Sequence, residues 1–203
     1  MEEEKKESAE ETEAEAVIEA EVQAEAAAKE KADKNKTKKK KKKPIDFLKY
    51  YVKPHKKIAR DVTPEDIKKI VEDANIMFNL CYTQNGPYPG GHAVAHPQIN
   101  DTDPLRFFVT NQREICINPI ILRHTQVKID NEEGCLSYPD KMPIRVPRWN
   151  KCEVEFTTLD IDSPTGLSER KKVSLNGIGS RVMQHEIDHL DGISIFDRAE
   201  ENK

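Results

Sequence analysis

The chain has 203 residues, of which 33 are Lys or Arg, 37 are Asp or Glu and only 36% are hydrophobic, a balance too polar on average for a well-buried globule. The average hides two opposed blocks: residues 1–30 hold twelve Glu and three Lys, a net of −9, and residues 31–43 hold nine Lys and one Asp, a net of +8. They leave a body of 160 residues, 44–203, with a net charge near −3 and ordinary apolar content, which suits one domain; no apolar run approaches a transmembrane span.

Residues 1–30 are built from good helix formers but carry no apolar stripe to dock a helix, so a disordered or transiently helical extension is expected. The run Lys38–Lys43 reads as an address to a nucleus, an anionic membrane, RNA or a ribosome surface, or else as a charged tether balanced by the acidic block before it. The acidic start resembles neither a secretory signal nor the Arg- and Ser-rich presequence of an imported organelle protein. A cytoplasmic protein is expected, with organellar import left open. Cys81, Cys116, Cys135 and Cys152 have no Cys-x-x-Cys spacing, which argues against disulfides and against a four-thiolate zinc site; Cys81, Cys116 and Cys152 read as small core residues.

From Pro44 the chain mixes apolar and basic residues and is expected to wrap the domain as an irregular arm, with His55 at its surface. Thr63-Pro64-Glu65-Asp66 opens a helix, with Thr63 as N-cap, Pro64 in the first turn and Asp66 available for capping. Ile67, Ile70, Val71, Ala74, Met77, Phe78 and Cys81 then recur at helical spacing to about Tyr82. Gln84–Gly91 is loop and delivers the chain into His92–Ile99. Arg106–Thr110 and Glu114–Ile117 form a hairpin, closed by Asn118-Pro119. Val127–Ile129 leads into Asn131–Tyr138, Pro143–Pro147 is extended, Lys151–Leu159 is the clearest strand, and Asp162–Gly166 turns the chain into a further strand, Glu169–Leu175. Asn176 or Ser174 caps a last helix that runs to about Leu190 and ends at Gly192. It is apolar on two sides, Val182, His185 and His189 on one and Met183, Ile187 and Leu190 on the other, so its histidines lie inside the molecule or at the bottom of a cleft. The class is α+β, antiparallel sheets packed around a central helix.

That helix contains Gln184–Gly192, QHEIDHLDG. Residues four apart share a helix face, so His185 and His189 can present two imidazoles to one divalent metal, with Glu186 beside them as proton acceptor for an attacking water. Alone, the motif reads equally as a hydrogen-bonded core cluster, and a third ligand has to decide.

Three separated motifs together make the chain resemble the peptide deformylase family: Gly91–Gln98, GHAVAHPQ, where the family has Gly-x-Gly-Leu-Ala-x-x-Gln; Glu133–Ser137, EGCLS, unaltered; and QHEIDHLDG, also unaltered. The resemblance spans about 45–198, including Pro54, Asn118-Pro119 and Val146-Pro147-Arg148, and leaves the first 43 residues unexplained. It implies a peptide deformylase-like fold around a metal-binding helix. Cys135 would be the third ligand with His185 and His189, for one divalent metal, Fe(2+) expected and Zn(2+), Ni(2+) or Co(2+) able to replace it. One thiolate and two imidazoles leave a fourth tetrahedral position open. The implied reaction removes the formyl group from N-formylmethionyl peptides of nascent proteins, with Glu186 as general base and then acid, and with the Leu136 N–H and the Gln98 amide stabilising the formyl oxygen. Gly134 lets the strand carrying Cys135 come close to the metal. The peptide would add as a β-strand along Gly91, His92, Ala93 and Val94 and along Gly134–Leu136. His92, Val94, Tyr138, Ile178, Val182 and His185 would line the methionine pocket, with Arg181 toward the next substrate residue. A monomer is expected, acting near the ribosomal exit, with no sequence-specific nucleic-acid binding.

Two departures stand out. Ala93 replaces the second family glycine, placing a Cβ where substrate backbone must approach, and His92 and His96 add ionisable groups that alternation would point the same way. Around Tyr138–Arg145 the spacing is one residue longer than in common members, leaving Lys141 or Arg145 as the basic group near substrate. Two other readings compete. A zinc endopeptidase usually takes a downstream His or Glu ligand, but no His follows His189. A catalytically silent homologue would bind ribosomes or peptides through the Lys run and the groove.

Overall fold

The computed structural model describes residues 56–82, 91–138, 141 and 143–200, all within the compact unit Ile45–Lys203. The charged extension, the arm up to His55 and the loop 83–90 lie outside the described residues.

Helix α1, Ile67–Tyr82, is preceded by a 3-10 turn, Pro64–Asp66. The expected cap forms: Asp66 accepts the N–H of the N-cap Thr63 at 2.9 Å and its hydroxyl at 3.2 Å, while Arg60 holds the same carboxylate at 2.8 Å. Strands β1 (Ala93–Ala95), β2 (Phe107–Thr110), β3 (Ile115–His124), β6 (Lys151–Thr157) and β7 (Lys171–Asn176) form an antiparallel sheet in the order β1-β2-β3-β6-β7. Strands β4 (Lys128–Glu133) and β5 (Ile144–Trp149) pair separately. Helix α2, Gly177–Leu190, carries the His-Glu-x-x-His motif, and α3, Ile195–Glu200, follows. Asn176 stands at the N-cap of α2 in extended backbone but makes no side-chain cap. The expected α+β class, with antiparallel sheets and a helix that carries two of the metal-ligand candidates, is what the chain forms.

Strand periodicity explains the layering. Val94, Phe107, Val109 and Ile117 face a core they share with Ile70, Ala74 and Met77 of α1. Ala93, Ala95, Phe108 and Cys116 face the opposite core, with Met183, Ile187 and Leu190 of α2. The sheet is thus covered on both faces, which is why β2 reads as an unbroken apolar run. Burying Phe107 and Phe108, both fully inaccessible, stabilises the fold by about 2–3 kcal/mol each.

Three local expectations change. Strand β1 stops at Ala95 and His96–Gln98 form a 3-10 turn, so His92 is exposed while His96 is fully buried. Strand β3 runs through Asn118-Pro119 instead of ending there, because a register shift between Ile117 and Ile120 absorbs the proline. Asn118, at φ +48°, ties that bulge to Val62 by accepting its N–H at 2.8 Å and donating to its carbonyl at 3.0 Å. Strand β4 ends at Glu133, leaving Gly134–Ser137 as a turn beyond it.

Candidate metal centre

Helix α2 and the turn after β4 bring Cys135, His185 and His189 together, their ligand atoms all within 4.8 Å of one another. Cys135 Sγ lies 3.2 Å from His189 Nε2. Burial pushes the Cys135 thiol up, but His189 and His185 outweigh it and hold the group well below its ordinary value. The other three cysteines behave oppositely: burial pushes Cys81 up to about 12 and raises Cys116 and Cys152. One thiol is therefore poised as a thiolate and three are inert.

The orientation of His185 is fixed from behind. Its Nδ1 lies 3.0 Å from Glu133 Oε2, directing Nε2 toward the cluster. Glu133 is buried and is gripped by Arg148 at 3.0 and 3.1 Å and by Arg181 at 2.6 Å. Burial pushes the Glu133 carboxyl up, yet the bonds from His185 and Arg148 prevail and hold it at about 2. Arg148 also contacts Asp188, and Asp188 meets Arg198 of α3 at 2.7 Å. Sequence reasoning assigned no role to Glu133, Arg148 or Asp188. The available signal was chemical: an imidazole ligand needs an acceptor on its second nitrogen, and a carboxylate sits two residues before the thiolate.

Gln98 reaches the cluster from the turn after β1. Its Oε1 accepts the Ala95 N–H at 2.8 Å, which commits Nε2 to the other side, 3.1 Å from Ser137 Oγ and 4.0 Å from Cys135 Sγ. Glu186 is buried beside the ligands, and its Oε2 has no hydrogen-bond partner among the described residues. Burial raises its pKa against the pull of His185 and His189. A soft thiolate, two imidazoles and an orphaned carboxylate oxygen fit a divalent transition metal with water in its open position.

A cavity of about 260 Å³ opens onto this cluster, lined by Gly91, His92, Ala93, Gln98, Glu132, Glu133, Gly134, Cys135, Leu136, Ile178, Arg181, Val182, His185 and Glu186. Two residues expected in the groove stand elsewhere. Val94 points into the α1 core, and Tyr138 packs edge-on against Phe196 with ring centres 4.6 Å apart. Arg181 lines the cavity, but its guanidinium is spent on Glu133, the Val146 carbonyl at 2.8 Å and the Ile129 carbonyl at 2.6 Å. Lys141 lies over the Phe196 ring at 4.6 Å and Arg145 pairs with Asp130 at 2.9 Å; neither lines the cavity. The Ala93 side chain packs into the α2 core. At Gly91, by contrast, a Cβ would stand 2.9 Å from Leu136 Cδ1 and 3.2 Å from the Ala93 carbonyl oxygen, so a side chain there would have to displace Leu136.

Among the described residues no helix is long and apolar enough to cross a membrane. A family model described as polypeptide deformylase matches residues 44–203. The chain is 33% identical over 140 residues to a peptide deformylase of Dictyoglomus thermophilum, covering 68% of this chain and 79% of that one. It is 36% identical over 153 residues to one of a Picosynechococcus species, covering 71% of each. Among solved structures it is similar to a peptide deformylase from Thermotoga maritima, with 32% identity, a TM-score of 0.58 and coverage of 70% of this chain and 88% of that one. A ligand-bound class I type b peptide deformylase from Acinetobacter baumannii gives 26% identity and a TM-score of 0.60, covering 72% and 93%.

Proposed function

The chain belongs to the polypeptide deformylase family, and from that premise we propose that it hydrolyses the formyl group from N-formylmethionyl peptides, releasing formate and a free α-amine. The observation that carries this reading is the aim of Gln98: its carbonyl is tied to Ala95, and its N–H donors face the Cys135 side of a cavity that also holds the unpartnered Glu186 oxygen. Cys135, His185 and His189 would hold a divalent ion, with Fe(2+) expected and Zn(2+), Ni(2+) or Co(2+) as alternatives, which would supply Lewis acidity at the site.

The remaining steps belong to the protein. Glu186 takes the proton from the attacking water and delivers it to the leaving nitrogen. The Gln98 amide and the Leu136 N–H donate to the formyl oxygen as negative charge develops there. The peptide lies extended on the free edge of β1. His92 O is taken by Asn111 N–H at 2.8 Å and the Ala95 N–H by Gln98, so alternation along β1 leaves the Ala93 backbone to pair with substrate. Ile178 and Val182 flank the space for the methionine side chain. The Lys-rich residues 31–43 suit a polyanionic surface, of which the ribosome beside an emerging chain is the one that presents this substrate.

The test is formate release from formyl-Met-Ala-Ser by protein loaded anaerobically with Fe(2+), beside Glu186→Gln. Release by the wild type with loss in the variant supports the reading. Equal rates in both remove Glu186 from the mechanism, and a metal-replete wild type that releases no formate favours a peptide-binding role. A chain starting at Pro44 is expected to retain turnover of the free peptide and to lose salt-sensitive association with ribosomes.

A further inference from the structure

We propose that His96, together with Asp73, is a positioning residue for Gln98: the pair pins the turn that carries this amide to helix α1 and thereby sets the direction in which it donates. The proposal rests on the deformylase reading for its catalytic consequence and on geometry for the pin itself.

The His96 ring is completely buried and bridges three segments. Its Nδ1 accepts the Leu105 N–H at 2.8 Å, which requires a bare nitrogen there and places the ring proton on Nε2, 3.0 Å from Asp73 Oδ2. The ring stacks on Phe107, centroids 4.8 Å apart and planes at 26°. Lys69 also meets Asp73, at 2.7 Å. Burial lowers the His96 pKa to about 4 against the pull of Asp73, so the ring is neutral and both of its nitrogens keep these roles at neutral pH.

The turn is built on this anchor. The His96 carbonyl accepts the N–H groups of Ile99 and Asn100, each at 3.0 Å, and Pro97 fixes φ in between. Gln98 then folds back onto Ala95 and reaches Ser137. Only Pro97 separates ring from amide in this tight turn, so a rotation of one swings the other, and a donor misplaced by about 1 Å can lower a rate ~100-fold. Alanine at 96 would leave the Leu105 N–H and the Asp73 carboxylate facing a void.

Amide hydrogen exchange and formate release, measured on the full-length metal-loaded protein and its variants, test this. In His96→Ala the Ala95 amide, whose partner is Gln98, is expected to exchange roughly tenfold faster while α2 keeps its protection. Asp73→Ala, which removes the partner without opening the core, gives a smaller change of the same sign and decides the matter should His96→Ala not fold. Turnover of formyl-Met-Ala-Ser by His96→Ala falls roughly 10- to 100-fold in kcat, with KM and metal content little changed. On a Gln98→Ala background, His96→Ala has no further effect on kcat. Unchanged Ala95 exchange in both single variants overturns the proposal, as does a kcat loss that adds in full to that of Gln98→Ala. A wild type without formate release refutes the deformylase reading instead, and the exchange measurement alone then decides the pin.

Discussion

His185 Nδ1 and Glu133 Oε2 stand 3.0 Å apart, so the aim of one candidate ligand depends on a carboxylate outside the ligand set. Glu133→Gln is expected to weaken metal binding about 10- to 100-fold, measured by competition against a chelator. Glu133→Ala leaves Arg148 and Arg181 without their shared partner and is expected to cost a further ~3–5 kcal/mol of stability, read from the urea midpoint. Undiminished metal affinity in Glu133→Gln would show that the ring is oriented by packing alone.

Glu186 is buried with one oxygen unpartnered among the described residues, which leaves that oxygen available for proton transfer. Glu186→Gln is expected to lower kcat by about 10²- to 10⁴-fold with metal content unchanged, and to raise the urea midpoint. A variant that loses both turnover and stability would assign Glu186 a structural task.

His96 has a folded-state pKa of about 4 against an ordinary 6.5. Between those values the unfolded chain binds a proton that the fold refuses, so this residue's contribution to stability falls as pH falls through that window, by up to about 1.4 kcal/mol per pH unit. It contributes no slope above 6.5. Denaturation of wild type and His96→Asn at pH 7, 6, 5 and 4 checks this: the stability difference between them should narrow toward pH 4. A constant difference would contradict the buried neutral ring. Glu133, held at about 2 against 4.5, adds its own loss only as pH drops below 4.5.

Two glycines should separate folding from binding. Gly192 ends α2 at φ +73°, and a Cβ there would stand 2.9 Å from the Lys56 carbonyl carbon; Gly192→Ala is expected to destabilise by more than about 1 kcal/mol. A Cβ on Gly134 meets nothing within 4 Å, although Gly134 lines the cavity. Gly134→Ala is therefore expected to leave the urea midpoint within ~0.5 kcal/mol of wild type while raising KM. An unchanged KM would move the peptide off that wall.

Periodicity made much of the fold legible. Ile70, Ala74, Met77 and Cys81 predict the buried face of α1, and alternation predicts β6, because each pattern records a local period. The ligand triad was legible only through motifs, since Cys135 and His185 are fifty residues apart and nothing in their spacing joins them. Tertiary charge compensation left no sequence trace: Arg148 and Asp188 are forty residues apart, and Arg181, read as a substrate contact, is consumed by Glu133. His96 was misplaced for a local reason, since the strand period was continued one residue too far, into a turn set by Pro97. Strand β3 was cut short because proline normally ends a ladder, and the Asn118 contacts to Val62 that rescue it come from fifty-six residues away.

The succession His185, Glu133, Arg148, Asp188 and Arg198 crosses β4, β5, α2 and α3. A polypeptide is made from its N-terminus, so its final member, Arg198, joins after every ligand is already in place along the chain. Until α3 docks, Asp188 lacks one of its counter-charges, while Glu133 keeps Arg148, Arg181 and His185, none of which lies on α3. The carboxylate that steadies His185 is thus held from β5 and α2, and α3 acts on it only at second hand, through Asp188 and Arg148.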